Sequence, residues 1–143
     1  MKLQIAVAGL LAALAVVPAG AETSSPISVT AGYRGVAVPL SGEQAAFIKK
    51  GDRVDALVTF EAQLKDKAKE KVTATILQNV VVLEVIRPEK LDDKGVVELL
   101  LNPNETQYLA LSLQQGALLL SVRAEGDKEM HPMEMASFRK LFQ

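Results

Sequence analysis

The stretch from Phe47 to Thr59, FIKKGDRVDALVT, constrains the fold more than any other part of the chain, because it joins a turn signal to a strand signal. Glycine takes a positive φ without steric penalty, and an aspartate side chain accepts hydrogen bonds from nearby amides. The pattern therefore predicts a structural turn at Gly51, Asp52 and Arg53. Alternating apolar and polar residues then indicate a half-buried strand. Its inward-facing residues would be Val54, Ala56 and Val58.

The longest β-like segment runs from Val72 to Ile86 and reads VTATILQNVVVLEVI. Alternation in its first half stops at Gln78-Asn79, and every later residue except Glu84 is apolar. Two strands that meet at a bulge or corner explain the change, because a bulge redirects side chains to the other face. The apolar second half predicts burial on both faces of a curled sheet. We expect this segment to pair with the strand that follows Gly51.

A helix signal follows the strand predicted at 96–101. Asn102 suits the N-cap, Pro103 the first helical position, and Glu105 the position that reaches back to the cap. Apolar spacing continues the helix to residue 115, and Gly116 is typical of the residue that ends a helix. The buried face would carry Thr106, Leu109, Ala110 and Leu113.

Further strands are predicted at 33–40 and 117–123. The segment 41–48 predicts a helical turn whose inward residues would be Ala45, Phe47 and Ile48. The charged segment 61–71 is typical of a solvated connection between two strands. Together these elements predict a mainly β (α+β) fold, a small curled sheet or partial β-barrel of about six strands with one packed helix near 103–115.

The first 21 residues have the layout of a signal peptide. Lys2 precedes an apolar run from Leu3 to Val17, and Ala19-Gly20-Ala21 supplies the small residues of a cleavage site. An uncleaved membrane anchor is the alternative, but the run is shorter than the about 20 residues that a spanning helix needs. We therefore expect an exported, periplasmic protein with no transmembrane segment after signal cleavage.

The rest of the chain divides into three parts. Residues 22–32 are rich in small and polar residues and predict a flexible leader, with a short strand at 27–30. Residues 33–123 contain the strands and the helix of the β domain. Residues 124–143 form a C-terminal tail, in which Phe138 and Phe142 are spaced to share one side of a short helix.

The chain offers few residues for metal or nucleophilic chemistry. It has no cysteine and a single histidine, His131, which excludes a thiolate site and a site with two histidine ligands from one chain. Three methionines flank His131, and a soft cuprous ion is the metal that such a set could hold. No established ligand spacing supports that alternative, since methionines also fill gaps in ordinary packing. We predict no metal and no cofactor. The methionines are Met130, Met133 and Met135.

The acids of the first stretch do not predict a catalytic pair. Asp52 and Asp55 are three residues apart on a strand and would face opposite sides of the sheet. Arg53, which lies between them, is expected to pair with one of them at the surface. With 16 basic and 17 acidic side chains the net charge is −1, unlike a surface that binds nucleic acid. We predict no catalytic residues, no enzymatic activity and no nucleic-acid partner.

Two apolar residues of the helix lie off its predicted buried face. Tyr108 and Leu111 would form a small exposed apolar spot, which suggests contact with a protein partner. Scattered surface apolar residues are also common in proteins without partners.

Several pieces of the chain, taken in order, resemble the periplasmic domain of the Flp pilus assembly proteins CpaB/RcpC, of the Tad secretion system. GYRGVAV (32–38) precedes FIKKGDRVDALVT (47–59), and TATILQNVVVLEV (73–85) follows. LLLNPNETQYLALSLQQGALLLSVR (99–123) is similar to the closing strand, helix and strand of the family. The order of the pieces carries the resemblance.

The resemblance implies a non-enzymatic periplasmic factor in Flp/Tad (type IVb) pilus assembly, acting through protein–protein contacts with secretin or other pilus components. Lys50 replaces a proline that is usual in the family, the helix carries Tyr108 and Leu113 where the family tends to charge, and the usual N-terminal SAF portion is not expected here. A module that binds an envelope polymer, such as peptidoglycan or another glycan, is the alternative.

Overall fold

A computed structural model describes residues 27–63 and 65–143, which form an open antiparallel sheet of six strands. The mainly β fold expected from the sequence is confirmed, with a sheet that does not close into a barrel. The strands are β1 (Arg34–Ser41), β2 (Arg53–Gln63), β3 (Lys69–Ile86), β4 (Lys94–Leu101), β5 (Gly116–Val122) and β6 (Ala136–Ser137). The helices are α1 (Gly42–Phe47), α2 (Pro103–Gln115) and a 3₁₀ helix (Phe138–Phe142). The order across the sheet is β1-β4-β3-β2-β5, and β6 pairs with β3.

The core lies between the sheet and α2. Leu109 of α2 is fully buried and belongs to the same apolar cluster as residues from β1 to β5. The alternation predicted for β2 holds, since its inward residues are no more than 1% exposed. These residues are Val54, Ala56 and Val58.

The charged segment 61–71 is not a free connection as expected. β2 continues to Gln63 and β3 begins at Lys69, so both strands extend into the charged segment. Lys69 Nζ lies 3.1 Å from Glu61 Oε1, an exposed ion pair across the two strands. Charged side chains at the end of a hairpin are compatible with strand pairing, because six of the seven charged residues of this segment are exposed to water and only Glu70 is buried.

The bulge predicted near Gln78-Asn79 is present, but it does not divide the segment into two strands. β3 is one strand of 18 residues, and its pairing with β2 shifts register around Ala56, opposite Leu77. Asn79 has a φ of 58°, a left-handed conformation that asparagine tolerates better than most residues. Beyond the bulge Val82 and Leu83 are both buried, whereas Ile86 at the strand end is 63% exposed.

α2 begins and ends where the sequence predicts. The Asn102 side chain accepts a hydrogen bond from the Glu105 backbone N–H at 2.9 Å, and the Asn102 N–H donates to Glu105 Oε2 at 2.7 Å. This reciprocal capping box satisfies two amides that a helix start leaves unpaired. The predicted buried face is wrong at Ala110, which is exposed because it has turned past the sheet.

Gly116 ends α2 for a different reason from the one the sequence suggests. Its φ of −169° is extended rather than left-handed, and the residue already belongs to β5. A Cβ at this position would collide with the backbone carbonyl oxygen of Thr59. Glycine is therefore needed for the close approach of β5 to β2.

The structure corrects two predictions in the N-terminal half of the chain, one for Phe47 and one for residues 27–30. α1 is capped by Ser41 as expected, and Ala45 and Ile48 are buried, but Phe47 is 80% exposed. The six-residue helix is too short to turn Phe47 toward the sheet together with Ile48. Residues 27–30 form no strand and lead into a turn in which the Tyr33 N–H donates to the Thr30 carbonyl. The predicted signal peptide (1–21) and the part of the leader before Ile27 lie outside the described residues.

Candidate interaction surfaces

The turn before β2 is tied to β3 by its backbone. Gly51, with a φ of 88°, donates its N–H to the Val82 carbonyl at 2.8 Å, and the Val82 N–H donates to the Asp52 carbonyl at 2.9 Å. The Asp52 carboxylate accepts a hydrogen bond from the Lys49 N–H at 2.8 Å. The polar groups of the turn are thus engaged within the fold.

Arg53 does not pair with either neighbouring aspartate. Its guanidinium donates to the Asn79 side-chain oxygen at 3.0 Å, which links β2 to the bulge in β3. Asp55 accepts instead from the Asn79 N–H at 2.8 Å and from Arg123 Nε at 2.6 Å. The bulge and the end of β5 provide better aligned partners than residues adjacent in sequence.

Arg123 is the centre of a polar network that the sequence did not reveal. Its side chain is only 5% exposed and contacts four groups from three parts of the chain. The hydrogen bond to the Asp55 carboxylate, and then the charge of that carboxylate, raise the pKa of the Arg123 guanidinium. The contacts are Asp55 Oδ1 (2.6 Å), Asp127 Oδ1 (3.3 Å), the Glu129 carbonyl (2.5 Å) and Gln78 Oε1 (3.3 Å).

A polar cleft of about 360 Å³ lies beside this network. It runs between the turn at 50–53 and residues 123–126. Its basic side chains are committed to partners in the fold: Lys50 pairs with Glu84 at 3.0 Å, and Arg53 and Arg123 bind the groups described above. The cleft therefore marks the boundary between the turn before β2 and the start of the tail.

A second surface is apolar and lies beside α2. Leu111 is 63% exposed and lines a groove of about 270 Å³ between the helix and the sheet. Tyr108 is 62% exposed but does not line the groove. The structure thus places Leu111 in a continuous apolar surface and leaves Tyr108 on the outer side of the helix. The other lining residues are Val58, Phe60, Ala74, Ile76, Ser112 and Gln115.

The groups considered for metal chemistry lie on the surface of the tail. His131 has a side chain 61% exposed, and its Nε2 lies 3.4 Å from Glu129 Oε2. Within residues 27–63 and 65–143, no three His, Cys, Asp or Glu side chains are grouped so as to hold a metal ion. In the same ranges no helix is long and apolar enough to cross a membrane. The three methionines are each more than half exposed: Met130, Met133 and Met135.

Comparison with known proteins gives one family. A family model described as Flp pilus assembly protein RcpC/CpaB matches residues 27–123, about two thirds of the chain. The match ends at Arg123, the residue at the centre of the polar network. No curated protein and no solved structure matches the chain.

Proposed function

The chain belongs to the RcpC/CpaB family of Flp pilus assembly proteins, and we propose that it acts in the periplasm as a non-enzymatic assembly factor. In this proposal the protein works through contacts with other components of the Flp/Tad machinery, of which a secretin is the leading candidate. The contact surface includes the groove beside α2.

The exposed position of Leu111 in that groove is the observation that supports a contact surface. Its side chain is 63% exposed, yet it adjoins apolar side chains of β2 and β3 that are themselves only partly covered. Complete burial of a leucine side chain contributes about 1.5–3 kcal/mol. A partner side chain inserted into the groove would cover Leu111 together with Phe60 and Ile76, and would gain the part of this contribution that remains.

Tyr108 lies beside this surface, on the outer side of α2, and does not line the groove. It is three residues before Leu111, so the two side chains are neighbours on the helix surface. Tyrosine offers a large apolar ring and a hydroxyl, which suits it to the rim of a protein interface. We place Leu111 at the centre of the contact and Tyr108 at its edge.

The test is co-purification from the envelope of cells that carry the pilus genes. The tagged wild-type chain should co-purify with a secretin, a platform or a pilin component, and Leu111→Asp should reduce recovery at least tenfold. Leu91→Asp is the matched control, because Leu91 is 59% exposed in a turn away from the groove. Equal loss with both variants would remove the groove from the proposal.

The location and the competing function are tested with the same strain. Periplasmic fractions should contain a mature chain that begins at Glu22, the residue after the predicted cleavage site. Purified protein should remain in the supernatant when mixed with peptidoglycan and centrifuged. Pelleting with peptidoglycan, combined with no pilus component in the co-purification, would replace the proposal by polymer binding.

A further inference from the structure

The tail after Arg123 lies outside the matched family region and follows the edge of β3. The Gln78 side chain donates to the His131 carbonyl at 2.7 Å and accepts from the His131 N–H at 3.1 Å. Ala136 and Ser137 then pair with Thr73 and Val72. The tail thus runs antiparallel to β3 over more than its two-residue strand.

A side-chain contact at the end of the tail follows the same antiparallel order. Arg139 donates its N–H to Glu70 Oε1 at 2.7 Å, and its Nε lies 3.6 Å from Glu70 Oε2. Between His131 and Arg139 the tail advances eight residues, while its partner on β3 moves back eight, from Gln78 to Glu70. These side-chain contacts follow the antiparallel order of the two-residue ladder, and backbone pairing is confined to Ala136 and Ser137.

The edge that the tail covers would otherwise be open. β2 pairs with β3 from Lys69 to Val81, and β4 covers the opposite edge only from Val81 to Ile86. Since Val72 and Thr73 already pair with β2, β6 must occupy the edge on the β4 side. An uncovered strand edge is a template for pairing with another extended chain.

The tail buries little of its own surface against the edge of β3. Every residue from 124 to 143 is exposed except Ser137, which is half-buried. A cavity of about 240 Å³ remains between the 3₁₀ helix and the edge of the sheet. The tail is thus attached by a few polar contacts and little apolar surface, so its removal would expose little of the core.

Glu70 gives the edge a chemical preference. Its side chain is 6% exposed. Within residues 27–63 and 65–143, Glu70 is the only acidic residue that is buried. In the folded chain this carboxylate accepts the Arg139 N–H and lies beside the Arg139 guanidinium, a charge-assisted contact. A strand that replaces the tail can form the same contact only with a backbone N–H and a basic side chain opposite Glu70.

We propose that the edge of β3 from Glu70 to Gln78 is a docking site for an extended segment of a partner protein with a basic residue opposite Glu70. The tail occupies the site in the free chain and leaves it when the partner strand pairs. This mode of binding, β-strand addition, rests on the proposed role in pilus assembly and adds a second contact to the groove beside α2.

Disulfide trapping can test the site because the chain has no cysteine. The full chain carries Thr73→Cys, and the probe is a synthetic peptide of residues 129–143 with Ala136→Cys, in a glutathione redox buffer. Paired residues of an antiparallel ladder place their Cβ atoms about 4.5–5.5 Å apart, within reach of a disulfide after small adjustment. We expect capture of this peptide at least tenfold above that of a peptide with Met135→Cys, whose thiol would face the other side.

Two further comparisons define the result. The Ala136→Cys peptide with Arg139→Glu should be captured less, because it places a carboxylate beside Glu70. The full chain with Leu91→Cys, an exposed turn residue, should show no preference among the peptides. Equal capture of in-register and out-of-register peptides by Thr73→Cys, or capture no greater than at Leu91→Cys, would overturn the docking site.

The fold of the trapping variant is checked separately, because Thr73→Cys removes a hydrogen bond between the Thr59 and Thr73 hydroxyls. If circular dichroism shows unfolding, Thr75→Cys with a Glu134→Cys peptide tests the same register. A dimer formed by exchange of tails would assign the edge to a second copy and overturn the proposal. The peptides involve no pilus component, so these outcomes leave the co-purification result independent.

Discussion

The matched region (27–123) and the tail (124–143) belong to the same sheet but are held by different forces. The first has a continuous core in which residues such as Leu99 and Leu109 are fully buried. The tail has no buried residue and depends on Arg123, Gln78 and Glu70 for its position. We therefore expect the first region to unfold cooperatively, and the tail to detach while the sheet stays folded.

The largest expected change in the free energy of unfolding comes from a substitution in the core of the matched region. Leu109→Ala should lower the free energy of unfolding by about 2–5 kcal/mol, because it removes a fully buried side chain and leaves a cavity. Urea denaturation measured by circular dichroism gives the value. Leu141→Ala, at a tail residue 70% exposed, is the control and should change it by less than about 0.5 kcal/mol. Similar losses from both would show that the tail is part of the cooperative core.

Arg123→Ala tests the junction between the two regions. It leaves Asp55 with one fewer partner in a partly buried site and removes the guanidinium contact to the Glu129 carbonyl. We expect a loss of about 1–3 kcal/mol, together with faster proteolytic cleavage within 124–143 than within 27–123. Lys128→Ala, at an exposed tail position, is the control for cleavage. Unchanged protection of the tail would show that β6 and Glu70 suffice to hold it.

The smallest expected effect concerns two exposed carboxylates with lowered pKa values. The side-chain hydrogen bond from Lys50 is the largest cause for Glu84, whereas the Ala68 backbone N–H is the largest cause for Asp66 and Arg139 of the tail contributes less. Lys50→Ala should therefore raise the pKa of Glu84 more than Arg139→Ala raises that of Asp66. NMR titration of the carboxyl carbons measures both, and a larger rise at Asp66 would contradict the view that the tail contact is weak.

The sign of the accompanying stability change follows from the lowered pKa values. A carboxylate with a lowered pKa in the folded state adds stability at pH values above its unfolded pKa. That stability is lost as the pH falls through the folded value. In each variant the substituted chain should therefore approach wild-type stability in acid, and the difference should grow toward neutral pH. Salt should reduce the difference, since both pairs are exposed.

Sequence reasoning succeeded where a local pattern has one structural meaning. Asn102, Pro103 and Glu105 specified the start of α2 because capping depends on residues three apart. Sequence reasoning failed where the burial of a residue depends on contacts with segments distant in the chain. Ala110 and Phe47 fit an apolar face by spacing, but the width of the contact with the sheet left both exposed.

The candidate surfaces show the same division. Tyr108 and Leu111 were identified from helical spacing alone, but only the sheet beside α2 joins Leu111 to an apolar groove. Arg123 gave no signal in the sequence, since two of its four partners, Gln78 and Asp55, lie 45 and 68 residues away. Glu70 was one of many charges in the segment 61–71, and only the structure shows that it is buried and contacts Arg139 of the tail.

By itself the sequence determined the limits of α2 and the bulge at Gln78-Asn79, because periodicity, capping and turn chemistry act over a few residues. It also carried the family resemblance through the order of its motifs. The tertiary structure alone decided that the sheet is open, that Gly116 is required by the Thr59 backbone, and that the tail covers the edge of β3. Those features depend on contacts between segments far apart in the chain, which no local pattern encodes.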